Sequence, residues 1–403
     1  MLYFDCNATV PLHPAARQAW LDVADRSWHN PSGLYAAATT ARDIREDCRE
    51  RLADLLDCEP QRIIFTGGAT AAVNLLARHV GATAMPNARA TLSAIEHPCV
   101  AESFAATLPG RIDEIPIDHQ GRVNVEWLTH RLDSDSPPAA IVSVMAASNE
   151  SGTIQPWQDI AALCRWHRVP FHTDAAQWLG KLPARGLGDC DWVTGSGHKV
   201  GGPPGVGFLM IPADTTSFRG DRGGPQEAGR HAGTENVAAI AAMVATIEAR
   251  EQEIAAGNDA RAAARAAAEQ RLHERLPEAV VVGKDAPRLW NTLAVVIPGA
   301  DGKKLVARLD RAGVAASTGS ACSAGTDSTA RILAAIGPES LGLSAGDRHG
   351  MVRLSGSWDT SSSAWITAID ALAAAVRGTD DAMPRVSLTE PRPANRPART
   401  PLP

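Results

Sequence analysis

Short apolar segments alternate with helical patterns between residues 62 and 211, and this alternation limits the folds open to the chain. Neighbouring parallel strands need a long crossover between them, usually a helix, so the pattern predicts βαβ units around a mostly parallel sheet. Six strands are expected, over residues 62–65, 90–95, 140–145, 169–173, 191–194 and 206–211. The predicted class is α/β, with helices flanking the central sheet of a large domain.

A smaller C-terminal α/β unit is expected after this sheet. Residues 236–276 are rich in Ala, Glu and Arg, which predicts a long helix with a break near Gly257 and Asn258. Further strands and helices are expected over residues 280–282, 291–297, 302–313, 329–337, 351–355 and 362–376. We divide the chain into four parts. Residues 1–12 form an N-terminal segment that packs with the small domain, residues 13–255 a large ligand-binding domain, and residues 256–380 the small domain. Residues 381–403 form a Pro- and Arg-rich tail that is expected to be disordered.

Cysteine usage and charge narrow the class of protein. The chain has seven cysteines and no C-x-x-C pair, which argues against a disulfide framework or a metal site and favours a reducing compartment. The formal charge of -6 gives no sign of a nucleic-acid surface. The N-terminal residues lack a signal-peptide pattern and no apolar run is long enough for a bilayer, so we expect a cytoplasmic protein without membrane contact.

Polar side chains follow successive predicted strands. They are Thr70, His97, Asn149, Asp174, Gln177, Ser196, His198 and Lys199. The carboxyl ends of parallel strands meet at one edge of a sheet, where ligands bind. The sequence therefore predicts a ligand site at this edge.

Two of these residues together indicate a particular cofactor chemistry. Lys199 lies among glycines in SGHKVGG and could form a Schiff base, while Asp174 ends a strand and could face a protonated ring nitrogen. This pair matches the needs of pyridoxal 5'-phosphate. Ordinary structural roles stay open: a solvated lysine, a helix cap at Asp174 and a structural histidine at His97.

Seven motifs in order carry a family resemblance. The chain contains TGGAT, the pair Glu96-His97, SNESG, DAAQ, SGHK, AGTEN and STGSAC. This ordered set resembles the NifS/IscS-like class I cysteine desulfurases of the class V aminotransferase family, over about residues 3–376. The resemblance implies the fold-type I architecture of pyridoxal-phosphate transferases and a homodimer.

The resemblance also implies roles for single residues. Lys199 would hold the cofactor as a Schiff base, Asp174 would pair with its pyridine nitrogen, and Gln177 would bind its ring hydroxyl. His97 would stack on the ring and move protons, and Asn149 would orient cofactor and substrate. The phosphate would be bound by Thr70, Ser196 and His198, and by Thr234 of the neighbouring subunit. Arg353 would clamp the substrate carboxylate. Sulfur from L-cysteine would pass to Cys322, leaving L-alanine and a persulfide for a sulfur-acceptor protein.

Some positions depart from the family pattern. His231 stands where members of the family commonly have arginine. The family's RFSLG pattern at the substrate arginine reads RLSGS here, starting at Arg353. Ala71 stands where many members have glutamate. Cys322 lies in ASTGSACSAG, whose small residues pack little, so we expect a mobile thiol when no substrate is bound.

Two other functions stay open. A pyridoxal-dependent C–S or C–Se lyase would release sulfide or selenide without Cys322, and a non-catalytic sulfur-relay protein would bind no cofactor. The final destination of the sulfur is not predicted.

Overall fold

A computed structural model describes residues 1–134, 137–214, 218, 220–319 and 330–378. Within these residues the strands are β1 (Leu2–Tyr3), β2 (Ile63–Thr66), β3 (Arg89–Ser93), β4 (Ile112–Ile115), β5 (Ala139–Ser143), β6 (Phe171–Asp174), β7 (Trp192–Ser196), β8 (Gly207–Met210), β9 (Val280–Val281), β10 (Thr292–Val296), β11 (Val314–Ala315) and β12 (Met351–Ser355).

The α-helices in the same ranges are α1 (Pro14–Arg26), α2 (Ala36–Leu56), α3 (Ala69–Thr83), α4 (Pro98–Thr107), α5 (Val125–Asp133), α6 (Trp157–His167), α7 (Gln226–Gly229), α8 (Val237–Arg275), α9 (Gly302–Arg311), α10 (Arg331–Ile336) and α11 (Ser362–Arg377). Short 3-10 helices span Pro60–Arg62, Leu187–Asp189, Gly197–Lys199, Pro338–Leu341 and Ala345–His349.

The large sheet has the strand order β2-β8-β7-β6-β5-β3-β4. Its neighbouring strands are parallel except at β8, which runs antiparallel to β2 and β7. Every residue of β2, β6 and β7 is buried, as expected of a sheet covered by helices on both faces. The mostly parallel sheet and all six strands predicted between residues 62 and 211 are confirmed.

One strand of this sheet, β4, was missed by the sequence prediction. Its sequence IDEI has no continuous apolar run, and only Ile115 is buried. It pairs with β3 and forms the edge of the sheet, so one side of the strand has no neighbouring strand and its side chains need not all be apolar. A short edge strand of this kind gives a weak sequence signal.

Helix α8 is continuous, so the break predicted near Gly257 and Asn258 is wrong. Tertiary contacts hold the helix there. Asn258 Nδ2 donates to the main-chain oxygen of Lys181 at 2.8 Å, and Arg261 Nε donates to the main-chain oxygen of Trp358 at 3.2 Å. These contacts offset the cost of about 1 kcal/mol for glycine inside a helix.

The same helix joins two apolar cores. Its first half contributes Ile240 and Val244 to the core beneath the large sheet, and its second half contributes Ala268 and Leu272 to the core beside β10 and β12. The second core lies against the antiparallel sheet β12-β10-β9, and β1 pairs with β11 in a separate parallel ladder. In the described ranges, no helix has both the length and the hydropathy needed to cross a bilayer.

Candidate active site

A cleft with about 280 Å³ of open space lies at the carboxyl edge of the large sheet. It is lined by His97, Met145, Ala147, Asn149, Asp174, Ala176, Gln177 and Lys199. Strand β6 ends at Asp174, and β7 leads into the 3-10 turn that ends at Lys199. Five side chains that the sequence analysis took from four strand ends are therefore brought to one place: His97, Asn149, Asp174, Gln177 and Lys199.

Asp174 is buried at this cleft, with 6% of its surface exposed. Its Oδ1 accepts a hydrogen bond from the main-chain N–H of Ala176 at 2.9 Å. Burial raises the pKa of Asp174, while the hydrogen bond from Ala176 and the charges of His97 and Lys199 act in the opposite direction. A buried carboxylate needs a cation or a donor, so Asp174 suits a ligand with a protonated nitrogen.

His97 both caps α4 and lines the cleft. Its Nδ1 accepts the main-chain N–H of Cys99 at 3.2 Å, so the neutral ring carries its proton on Nε2. Burial lowers the pKa of His97, the Asp174 carboxylate raises it and Lys199 lowers it, with a net decrease. His97 therefore has a structural position as a helix cap and at the same time lines the cleft.

Lys199 reaches the N-terminal segment of the chain. Its Nζ donates to the main-chain oxygens of Asn7 at 2.7 Å and Ala8 at 2.9 Å. Gln177 Nε2 donates to the same oxygen of Asn7 at 2.9 Å, and Asn7 Nδ2 donates to the main-chain oxygen of Asn149 at 3.0 Å. Asn7, 1% exposed, thus connects three cleft residues, although the sequence analysis gave it no role.

Arg353 lies on β12 and is 1% exposed. Its Nη1 donates to the main-chain oxygen of Asn149 at 2.9 Å, and its Nη2 lies 2.5 Å from Asp5 Oδ1. Within the described part of the chain, Arg353 Nε has no hydrogen-bond partner. The guanidinium is therefore fixed beside a cleft residue, and its Nε–H is left for an acceptor such as a carboxylate. The sequence analysis gave Asp5 no role.

The side chains expected at a phosphate are Thr70, Ser196, His198 and Thr234. Ser196 ends β7 and is buried, and His198 Nδ1 lies 3.2 Å from Thr9 Oγ1. Burial lowers the pKa of His198 to about 4. Thr70 is exposed in the first turn of α3, and Thr234 is exposed between α7 and α8. Among the residues with described positions, these four are not part of the cleft lining.

Cys322 lies outside the described residues, within segment 320–329, so its expected mobility stays a prediction. The residues on either side of the segment are fixed near the cleft. Arg353 Nη1 donates to the main-chain oxygen of Gly319 at 3.4 Å. The Glu150 carboxylate accepts the first main-chain N–H groups of α10.

Two ionisable side chains near the site are fully buried, and the sequence analysis gave neither a role of its own. Burial raises the pKa of Glu96 to about 8. His172 Nδ1 lies 2.8 Å from Ser143 Oγ and its Nε2 lies 3.1 Å from Thr194 Oγ1, and burial lowers its pKa to about 3. The spacing of His172 and Asp174 by two residues on one strand, which puts them on the same face, was the available signal.

The residues of the cleft fit pyridoxal 5'-phosphate. Asp174 offers a buried acceptor for a ring N–H, Lys199 an amine for an aldehyde carbon, and His97 a flat ring for stacking. Gln177 adds an amide donor. A mostly parallel α/β sheet with this set of groups at its carboxyl edge defines the class as fold-type I pyridoxal-phosphate enzymes.

Comparisons with known proteins agree with this class. Residues 2–355 match the model of the family described as Aminotransferase class-V. A cysteine desulfurase of Gluconacetobacter diazotrophicus is 34% identical over 340 residues, which cover 83% of this chain and 84% of that protein. The crystal structure of a NifS-like protein from Rickettsia africae is similar with a TM-score of 0.81 at 26% identity, covering 94% of this chain and 99% of that one. SspA in complex with cysteine is similar with a TM-score of 0.73 at 25% identity, covering 88% and 98%.

The chain therefore belongs to the class-V aminotransferase family and, within it, to the cysteine desulfurases.

Proposed function

We propose that this protein removes sulfur from L-cysteine with pyridoxal 5'-phosphate, giving L-alanine and a persulfide on Cys322 that passes to a sulfur-acceptor protein. The observation that carries the proposal is the cleft in which Asp174, His97 and Lys199 lie together. The relatives named cysteine desulfurase, and the structural neighbour solved with cysteine, support the substrate.

The residues of the chain have distinct tasks in this reaction. The bound cofactor supplies an electron sink for the substrate. Lys199 attaches it, Asp174 keeps its ring nitrogen protonated and Gln177 donates to its ring oxygen. His97, neutral and protonated on Nε2, exchanges protons at that atom.

The substrate is held and attacked by residues of the C-terminal part. Arg353 binds the substrate carboxylate through its planar donors, next to Asn149. The Cys322 thiolate attacks the substrate sulfur, so that an S–S bond forms while the C–S bond breaks, and the substrate carbon takes a proton to give alanine. Gly319, bonded to Arg353, precedes Cys322 by three residues, a length of chain that spans at most about 11 Å.

The active form is proposed to be a cytoplasmic homodimer. Thr234 is exposed on the single chain, which suits a contact with the cofactor phosphate of a neighbouring subunit. Thr70, Ser196 and His198 would bind the phosphate within one subunit. The exposed Trp28, with 73% of its surface accessible, adds apolar area that a second copy could cover.

Replacement of Cys322 by alanine tests the function. The variant C322A is expected to keep the visible absorption of the bound cofactor and to lose cysteine-dependent alanine formation by at least about 100-fold, because the nucleophile is gone. Coupled assays of alanine and sulfide measure this. The variant C99A, which removes a cysteine beside His97, serves as the control. Undiminished sulfide release by C322A would instead identify a C–S lyase, and absence of any bound cofactor in the parent would indicate a relay protein.

A further inference from the structure

Lys181 is a buried lysine that the proposed reaction does not use. It is 1% exposed, and within the described residues no carboxylate forms an ion pair with it. Its Nζ donates instead to Gln177, at 2.8 Å to the side-chain Oε1 and at 3.3 Å to the main-chain oxygen. An amine buried without a counter-charge is costly, so its presence beside a cleft residue calls for a role.

The hydrogen bonds of Lys181 determine which way the Gln177 carboxamide faces. An ammonium or amine N–H is a donor, so the Gln177 atom in front of it must be the oxygen. The main-chain oxygen of Asn7 is an acceptor, so the atom in front of it must be Nε2. The second N–H of Nε2 has no hydrogen-bond partner among the described residues, and Gln177 lines the cleft. At this position Gln177 therefore presents an amide N–H donor to the cleft, and its carbonyl oxygen faces Lys181.

The main chain of Lys181 is anchored independently of its side chain. Its carbonyl oxygen accepts from Asn258 Nδ2 at 2.8 Å and from Trp290 Nε1 at 3.1 Å. These bonds come from α8 and from a residue two positions before β10, so the backbone at Lys181 is fixed by two separate parts of the chain. A variant that removes only the amine can therefore leave the local fold intact.

The charge of Lys181, like its hydrogen bond to Gln177, favours an anionic atom on a ligand in the cleft. Burial lowers the pKa of Lys181, Lys199 and Arg353 lower it as well, Cys6 raises it, and the net result is a pKa of about 7. Near neutral pH the amine therefore carries a partial positive charge beside the cleft. Both this charge and the oriented N–H of Gln177 favour an anionic atom on a bound ligand.

We propose that Lys181 is a positioning residue: its amine holds the Gln177 carboxamide so that an N–H faces the ring oxygen of the cofactor and favours the ionised form of that oxygen. This rests on the proposed binding of pyridoxal 5'-phosphate.

The variant K181M tests the proposal, because methionine has a similar length and no donor. The readout is the pH midpoint of the visible absorption of the cofactor on the full-length holoenzyme. Loss of a donor that favours the deprotonated chromophore is expected to raise this midpoint by about one pH unit. The matched control is N258A, which removes a hydrogen bond to the main chain of Lys181 and leaves Gln177 untouched. It is expected to lower stability without moving the midpoint.

A double-mutant cycle with Q177M tests whether Lys181 acts through Gln177. Q177M alone is expected to raise the midpoint, and adding K181M to it should raise the midpoint no further. An unchanged midpoint in K181M, full additivity in the double variant, or an equal shift in N258A would each overturn the proposal. If K181M does not fold, K181L, which also lacks a donor, is judged by the same criteria. A parent protein that binds no cofactor would remove the proposed function and this inference together, whereas a normal spectrum with no effect of K181M removes the inference alone.

Discussion

The His172 ring, on the strand that ends at Asp174, lies between two hydroxyl groups. Its Nδ1 lies 2.8 Å from Ser143 Oγ, and its Nε2 lies 3.1 Å from Thr194 Oγ1. A hydroxyl can both donate and accept, so each ring nitrogen of the neutral imidazole has a hydrogen-bond partner. Full burial of this satisfied ring disfavours its protonated form.

His172 gives a pH-dependent contribution to stability that can be measured. Burial lowers its pKa from 6.5 to about 3 in the folded state, so the unfolded chain binds one more proton between these values. The contribution of His172 to the free energy of unfolding is therefore fully present above pH 6.5. It is lost as the pH falls toward 3, by about 1.4 kcal/mol per pH unit.

The variant H172Q should lose this slope because it cannot be protonated. Denaturant unfolding of the parent and H172Q between pH 6.5 and 4.5 measures the difference. The variant H130Q, at an exposed histidine, is the control and should keep the parent slope. Equal slopes in parent and H172Q would show that His172 titrates normally.

Sequence reasoning identified cleft residues that end or follow strands and missed those that act through the main chain. Asp174 and Lys199 could be predicted because the strand pattern fixes where each strand ends. Asn7 could not, because its role depends on a carbonyl oxygen meeting residues far along the chain. The orientation of Gln177 by Lys181 likewise depends on side-chain geometry within a turn that has no periodic signal.

At the scale of elements, α2 holds both ends of the segment that carries Thr234. Arg49 binds the Glu227 carboxylate through Nη1 and Nη2, both at 2.8 Å, and Arg45 pairs with Glu235. Glu227 and the next residue have left-handed backbone, with φ of 50° and 56°, which is strained for side chains other than glycine. The buried ion pair offsets that strain and fixes where the segment projects.

Breaking this pair should destabilise the protein strongly. The variant E227Q is expected to lower the free energy of unfolding by about 3 kcal/mol, because it leaves Arg49 buried with reduced compensation. Denaturant unfolding measures the change. The variant E46Q, at the half-exposed second partner of Arg49, should cost less than about 1 kcal/mol. Similar losses in the two variants would contradict the role assigned to burial.

Elements were predictable where one pattern dominated, and were mistaken where tertiary contacts decided. The buried strands of the large sheet were predicted because their apolar runs are continuous. The expected break in α8 failed because Asn258 and Arg261 bond to other elements and hold the helix through Gly257. Composition alone does not show such partners.

At the scale of the whole molecule, the site depends on parts of the chain that are distant in sequence. Helix α8 joins the two cores, and the N-terminal segment bonds to Lys199 on one side and pairs with β11 on the other. The boundary at 255/256 falls inside α8, and the division into domains stays a prediction. The arrangement brings Arg353 of the C-terminal part to Asn149, in the loop after β5, as the proposed sulfur transfer to Cys322 requires.

The most direct measurement of the central claim is mass spectrometry of the holoenzyme after incubation with L-cysteine, with alkylation to trap persulfides and peptide mapping to locate them. The account predicts one additional sulfur atom on the peptide containing Cys322, together with alanine in the solution. Alanine or sulfide produced with no additional sulfur on Cys322, or with the sulfur on another cysteine, would contradict it.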